Sequence, residues 1–180
     1  MVVPDKSKLC TVDEFEELLG RPENDDRYFE LINGESVEKA PTQKHGVITV
    51  NIATDMRIWV RRTGKGRVAA EVRHRVPGDQ YNTRQPHIAY YADASSPSID
   101  RGAVPQLPDL AIEIKSPDDS YKKLREKADC YLANGAKAVW LIYPEKWMVE
   151  VLTADDFQIY KSGELLPGFT TMKVDGIFAD

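Results

Sequence analysis

Cysteine is scarce in this chain: among 180 residues only Cys10 and Cys130 carry a thiol. They lie far apart, with neither a Cys-X-X-Cys motif nor metal-ligand spacing. That excludes a disulfide-stapled scaffold and a cysteine-built zinc cluster. Cys10 reads as a free thiol near the terminus and Cys130 as a helical packing residue. Long apolar runs are missing too. None approaches membrane-spanning length, so no membrane partner is expected. The opening Met-Val-Val-Pro-Asp-Lys does not read as a signal peptide, and a cytoplasmic protein is expected. Excess positive charge is also lacking. The formal net charge is −5 and the pI about 5.3, which argues against nucleic-acid binding by bulk charge alone. Repeats, low-complexity tracts and convincing linkers are absent. With 42% hydrophobic and 29% charged residues, the chain is expected to form a single globular domain over residues 1–180.

The charge that is present is unevenly placed. Residues 13–38 are rich in Asp and Glu. Arg57, Arg61, Arg62, Lys65, Arg67, Arg73 and Arg75, with His74 among them, form a basic run. Lys122, Lys123, Arg125 and Lys127 form a second. Such surfaces can guide a phosphate backbone even on an acidic protein, although a solvated helix face has the same composition.

Periodicity divides the chain into alternating elements. Thr11-Val-Asp-Glu14 is a capping-box helix start, with Gly20 as the stop. Residues 28–32 and 35–39 flank Asn33-Gly34, a strong two-residue hairpin signal. Ile48, Ile52, Met56 and Trp59 have helical spacing over 44–62, ended by Thr63-Gly-Lys-Gly66. Strands are expected over 67–72, 86–93 and 109–115, with a turn at Pro77-Gly78 and a Ser/Pro-rich loop over 94–108. A second clear helix spans 119–134, with Asp118 or Asp119 as its N-cap. Residues 138–143 read as a central strand, and 147–152 with 157–161 as a closing hairpin or meander. The order predicts an α/β fold, a mixed sheet flanked by helices. The unit from 109 to 143 is βαβ, so its two strands should be parallel and central.

Chemistry concentrates in Pro108-Asp109-Leu110-Ala111-Ile112-Glu113-Ile114-Lys115-Ser116-Pro117. Alternate strand residues point the same way, so Glu113 and Lys115 share a face with Cα atoms about 6.6 Å apart. A buried-looking strand rarely carries two charges on one side without a reason. A hydrolytic metal site supplies one: a carboxylate for a hard cation and an ammonium for developing negative charge or water activation. A solvated Glu-X-Lys pair on an exposed face is the plain alternative. Asp109 lies about 13 Å along the strand from Glu113, too far to share an ion, and is expected to satisfy local backbone groups.

Several segments together resemble the Uma-two family of restriction endonucleases, within the PD-(D/E)XK nuclease superfamily. Tyr28-Phe-Glu-Leu-Ile-Asn-Gly-Glu35, Ala40-Pro41 with His45-Gly46, Pro108 to Pro117, Asn134-Gly-Ala-Lys-Ala-Val-Trp140, and Leu166-Pro-Gly-Phe169 with Ile177-Phe178 follow the family's order nearly end to end. The resemblance implies a restriction-endonuclease-like core and a divalent metal, Mg²⁺ or Mn²⁺. It also implies DNA as the partner, and a homodimer is the expected assembly; any protein partner is unknown. Glu113 and Lys115 match the superfamily's Glu-X-Lys. Many relatives carry an apolar residue at the Lys115 position. The preceding Pro-Asp is altered here to Pro86-His87.

The expected site on this basis is Glu113, Lys115 and Glu35 as catalytic groups, with Glu113, His87 and Glu35 as metal ligands. Imidazole favours Mn²⁺ or softer ions over Mg²⁺, and His87 reads equally well as a structural histidine. Glu30, in the same hairpin as Glu35, is a weaker candidate. Lys127 and Tyr131 resemble a Gln-X-X-X-Tyr element that holds DNA; they join His45, Arg61 and Arg62 as expected nucleic-acid contacts. The function expected is metal-dependent DNA endonuclease. The alternative is a catalytically weakened nuclease-fold protein that binds nucleic acid or a protein.

Overall fold

The computed structural model describes residues 9–24, 27–39, 42–95, 97–117, 119–168 and 172–179. Asp118, Ala40-Pro41 and Phe169, which entered the expectations above, lie outside them. In chain order the elements are α1 (Val12–Leu19), β1 (Tyr28–Ile32), β2 (Glu35–Lys39), α2 (Gln43–Thr63), β3 (Arg67–Ala70), β4 (His74–Arg75), β5 (Thr83–Arg84), β6 (Ile88–Tyr91), β7 (Leu110–Ile114), α3 (Tyr121–Ala133), β8 (Ala138–Tyr143), β9 (Met148–Leu152), β10 (Phe157–Lys161) and α4 (Val174–Phe178). Short 3-10 turns occur at Pro22–Asn24 and Pro144–Lys146. Among the described residues no helix is long and apolar enough to cross a membrane. The chain forms two compact units, one from 1–40, 73–85 and 98–107, the other from 41–72, 86–97 and 108–180.

The first unit is built on the β1–β2 hairpin. Asn33 and Gly34 have φ of 50° and 75°, the left-handed pair that a tight hairpin turn demands. Thr11 and Glu14 close the expected capping box on α1. Val12 and Phe15 of that helix pack with Phe29 and Leu31. The small β4–β5 ladder was not foreseen, because two-residue strands carry no periodicity. Thr83 Oγ1 accepts the Leu31 N–H, and the carboxylate of Glu30 accepts the Gln85 N–H. Arg73 forks onto Glu16, and Arg75 pairs with Asp13. The basic run is thus partly neutralised by the acidic first helix.

The second unit is a six-stranded mixed sheet in the order β10-β9-β8-β7-β6-β3. β7 and β8 are parallel and central, as the βαβ reading requires, and the other pairings are antiparallel. Ile112, Ile114, Trp140 and Ile142 face Ile48, Ile52 and Met56 of α2 and Val174, Ile177 and Phe178 of α4. Helix α4 went unread, since five residues hold barely more than one turn. The alternate face of β7 lies under α3, whose Leu124, Ala128 and Tyr131 are buried. Its N-cap is Ser120, which accepts the Lys123 N–H; Asp119 instead accepts the Ser116 N–H.

Gly66, entering β3, has φ +76°. A Cβ there would fall inside contact distance of the Tyr91 carbonyl oxygen and 2.5 Å from the Tyr90 ring. Gly64 has φ +67° with open space around it. Gly64→Ala should therefore cost about 1–2 kcal/mol, the left-handed penalty alone. Gly66→Ala should cost clearly more in the same chemical denaturation. Equal losses would contradict the close β3–β6 approach.

Candidate active site

The β6–β7 register decides what Glu113 meets. Ile88 is opposite Ile112, so His87, one residue before β6, falls beside Glu113 on the same face. His87 Nδ1 stands 3.0 Å from Glu113 Oε2. From α3, one turn apart, the Tyr131 hydroxyl donates to Glu113 Oε1 at 2.9 Å and Lys127 Nζ lies 3.8 Å from the same oxygen. Glu113 is 1% exposed and Tyr131 0%. A carboxylate so buried is stable only when its oxygens are paired, and here both are. The full burial of Tyr131 makes it a support for the carboxylate rather than a direct DNA contact.

The Ile114 N–H also points at His87 Nδ1, at 3.3 Å. One nitrogen cannot both accept from Ile114 and donate to Glu113. If it accepts, no proton lies between Nδ1 and Oε2, and two electron-rich atoms face each other. A metal ion held by both would relieve that repulsion. Two donor atoms about 3.0 Å apart match adjacent ligands on an ion with bonds of about 2.1 Å. Among the described residues no three His, Cys, Asp or Glu side chains converge as a metal cage. A carboxylate and an imidazole, with water and substrate oxygens completing the shell, suit Mn²⁺ better than Mg²⁺.

The other expected residues each have their own surroundings. Lys115 is 8% exposed, but its ammonium turns away from Glu113. It donates to the Ser116 carbonyl at 2.9 Å, lies 3.7 Å from Glu145 and 5.2 Å from the centre of the Tyr121 ring. Glu35 is exposed at the start of β2, in the first unit, and the buried carboxylate of that hairpin is Glu30. Arg61 and Arg62 are exposed on the last turn of α2, where Arg57 and Arg61 line an open groove of about 390 Å³ beside β3. Asp109 accepts the Ala92 N–H and pairs with Lys137, satisfying local groups as expected.

His45 is buried rather than presented to solvent. It is the third residue of the α2 capping box: its Nδ1 accepts from the Thr42 N–H, and its ring lies 5.3 Å from the His87 ring. Glu145, Tyr121 and the Arg125–Glu150–Tyr143 cluster were missed by sequence reasoning. Glu145 sits in a tight turn whose sequence gives no hint of what it faces. Burial pushes its carboxyl up, but its own backbone N–H, the Tyr121 hydroxyl, Lys115 and Lys146 outweigh that and hold it below the ordinary range.

Residues 12–178 match the family described as "Uma2: Putative restriction endonuclease". The chain belongs to the Uma2 family. A crystal structure described as "a putative nuclease belonging to DUF820", from Anabaena variabilis, superposes with a TM-score of 0.74 at 24% identity, covering 93% of this chain and 97% of that chain. At that identity the likeness establishes the fold, and this Uma2 chain is restriction-endonuclease-like in its fold. No curated protein matches it.

Burial pushes the His45 imidazole below its ordinary 6.5. The unfolded chain then takes up a proton there that the folded chain refuses, so stability falls as pH drops from about 6.5 toward the depressed value. His45→Gln keeps a capping-box side chain and should flatten that part of the profile of Tm against pH. An unchanged slope would show that His45 does not cause it.

Proposed function

We propose that this Uma2 chain is a metal-dependent nuclease that hydrolyses DNA phosphodiesters at Glu113. The observation that carries the reading is the facing pair of His87 Nδ1 and Glu113 Oε2, 3.0 Å apart, under a helix that fixes the other carboxylate oxygen. Glu113 and His87 would hold the ion, which when bound polarises the phosphate and lowers the pKa of its water. Tyr131 holds Glu113 in one orientation, so the carboxylate need not reorganise during reaction. Lys127, with a side chain 24% exposed, brings an ammonium to the scissile phosphate and offsets the charge that grows there. That is the service expected of Lys115, performed from α3. Arg61 and Arg62 steer the backbone without reading sequence. A duplex has two strands and one chain has one Glu113, so a twofold homodimer is the proposed cutting form.

The test is nicking of supercoiled plasmid at low salt, with Mg²⁺ and Mn²⁺ run separately. Wild type should nick, with Mn²⁺ preferred because imidazole is a poor Mg²⁺ ligand. Glu113→Ala should lose more than about a hundredfold, beyond the roughly 10- to 100-fold cost of losing an outer-shell partner. His87→Asp should move the preference toward Mg²⁺. Nicking that survives Glu113→Ala at full rate would overturn the proposal. DNA binding without cutting in either metal would favour the weakened, binding-only reading that His87 suggests.

A further inference from the structure

Lys115 is a buried ammonium that the proposed chemistry leaves unused. Its Cα lies about 6.6 Å along the strand from that of Glu113, and its ammonium reaches on from there toward the turn after β8. Its nearest acceptor is the Ser116 carbonyl, which takes one of three N–H groups. Glu145 at 3.7 Å is a charge partner beyond hydrogen-bond distance.

The neighbours of Lys115 are arranged asymmetrically. Asp119 is committed to the Ser116 N–H. Glu145, with a side chain 45% exposed, stands on the turn between β8 and β9 and accepts from the Tyr121 hydroxyl at 2.9 Å. Trp147 closes that turn in a left-handed conformation, φ 49°, which is costly for an aromatic residue. Lys146 lies over the Tyr121 ring at 4.2 Å, giving the spot a second cation. Of the two carboxylates, only Glu145 is both solvent-accessible and free of a backbone bond to Lys115's own loop.

We infer that Lys115 binds a second phosphate of the substrate, one step along the strand from the phosphate at Glu113, and that the Glu145 carboxylate occupies that phosphate's place until DNA displaces it. Glu145 is then an internal competitor, and Lys115 a positioning contact for the substrate rather than the ammonium of the chemical step. The inference rests on the nuclease reading above.

Binding of a fluorescent DNA oligonucleotide, measured by anisotropy in EDTA at low salt, tests it without turnover. Glu145→Gln should tighten binding about 3- to 10-fold, and Lys115→Met should weaken it by a similar factor. Lys115→Arg should bind nearly as wild type. In a Lys115→Met background, Glu145→Gln should no longer tighten binding. In steady-state cleavage with Mn²⁺, Lys115→Met should raise KM more than it lowers kcat. A Lys115→Met variant that binds as wild type, or one that loses kcat a hundredfold at unchanged affinity, would overturn the inference while leaving the nuclease reading intact. The same tightening by Glu145→Gln with or without Lys115 would also overturn it, as general repulsion. Failure of every variant to bind DNA would sink both.

Discussion

A carboxylate lies in the middle of β7, where every residue of the strand is buried. Water cannot solvate Glu113, and an ion in that position without partners costs several kcal/mol. The surrounding structure meets this constraint from two directions. The antiparallel register of β6 delivers His87, and the i,i+4 spacing of α3 delivers Lys127 and Tyr131. Docking of α3 over β7 and β8 therefore has a polar reason as well as an apolar one.

A second buried carboxylate shows what is particular about the first. Glu113 is opposite Leu141, and Leu141 is opposite Glu150, so the two carboxylates lie in one row across the sheet. Glu150 receives the Tyr143 hydroxyl and the Arg125 guanidinium. Each site thus combines a phenol with a cation. Arginine keeps its charge throughout the accessible pH range, which makes the Glu150 cluster a permanent clamp. At Glu113 one partner is an imidazole, whose Nδ1 is, in the proposed reading, a second donor atom for a metal ion. The same architectural device gives an anchor at one end of the row and the proposed metal position at the other.

The larger elements of this fold were legible because their signals are local. Asn33-Gly34, the Thr11–Glu14 box, the α2 stripe and the apolar run of β8 all report on neighbouring residues. Glu113 stood out because a charge interrupts an apolar strand. His87 could be suspected from its place before a strand, but its meeting with Glu113 depends on a register between strands about twenty residues apart. The direction taken by Lys115 was not legible. Its partners sit on a turn after β8 and on the first residue of α3, and only the folded chain brings them together. Glu30 and Glu35 share a face of the hairpin; Glu30 is buried where the Gln85 N–H meets its carboxylate, while Glu35 stays exposed beside the turn, a difference that composition does not reveal.

The central claim is that Glu113 and His87 together make a metal-binding pair. Titration of the intact protein with Mn²⁺, followed by the loss of the free-ion EPR signal at neutral pH, tests it without any DNA. The account predicts binding by wild type that weakens as pH falls, because imidazole and carboxylate ligands hold a metal ion only in their deprotonated forms. It also predicts a loss of at least about tenfold in affinity in both Glu113→Gln and His87→Ala. Wild-type affinity in both variants would place the ion elsewhere and contradict the account.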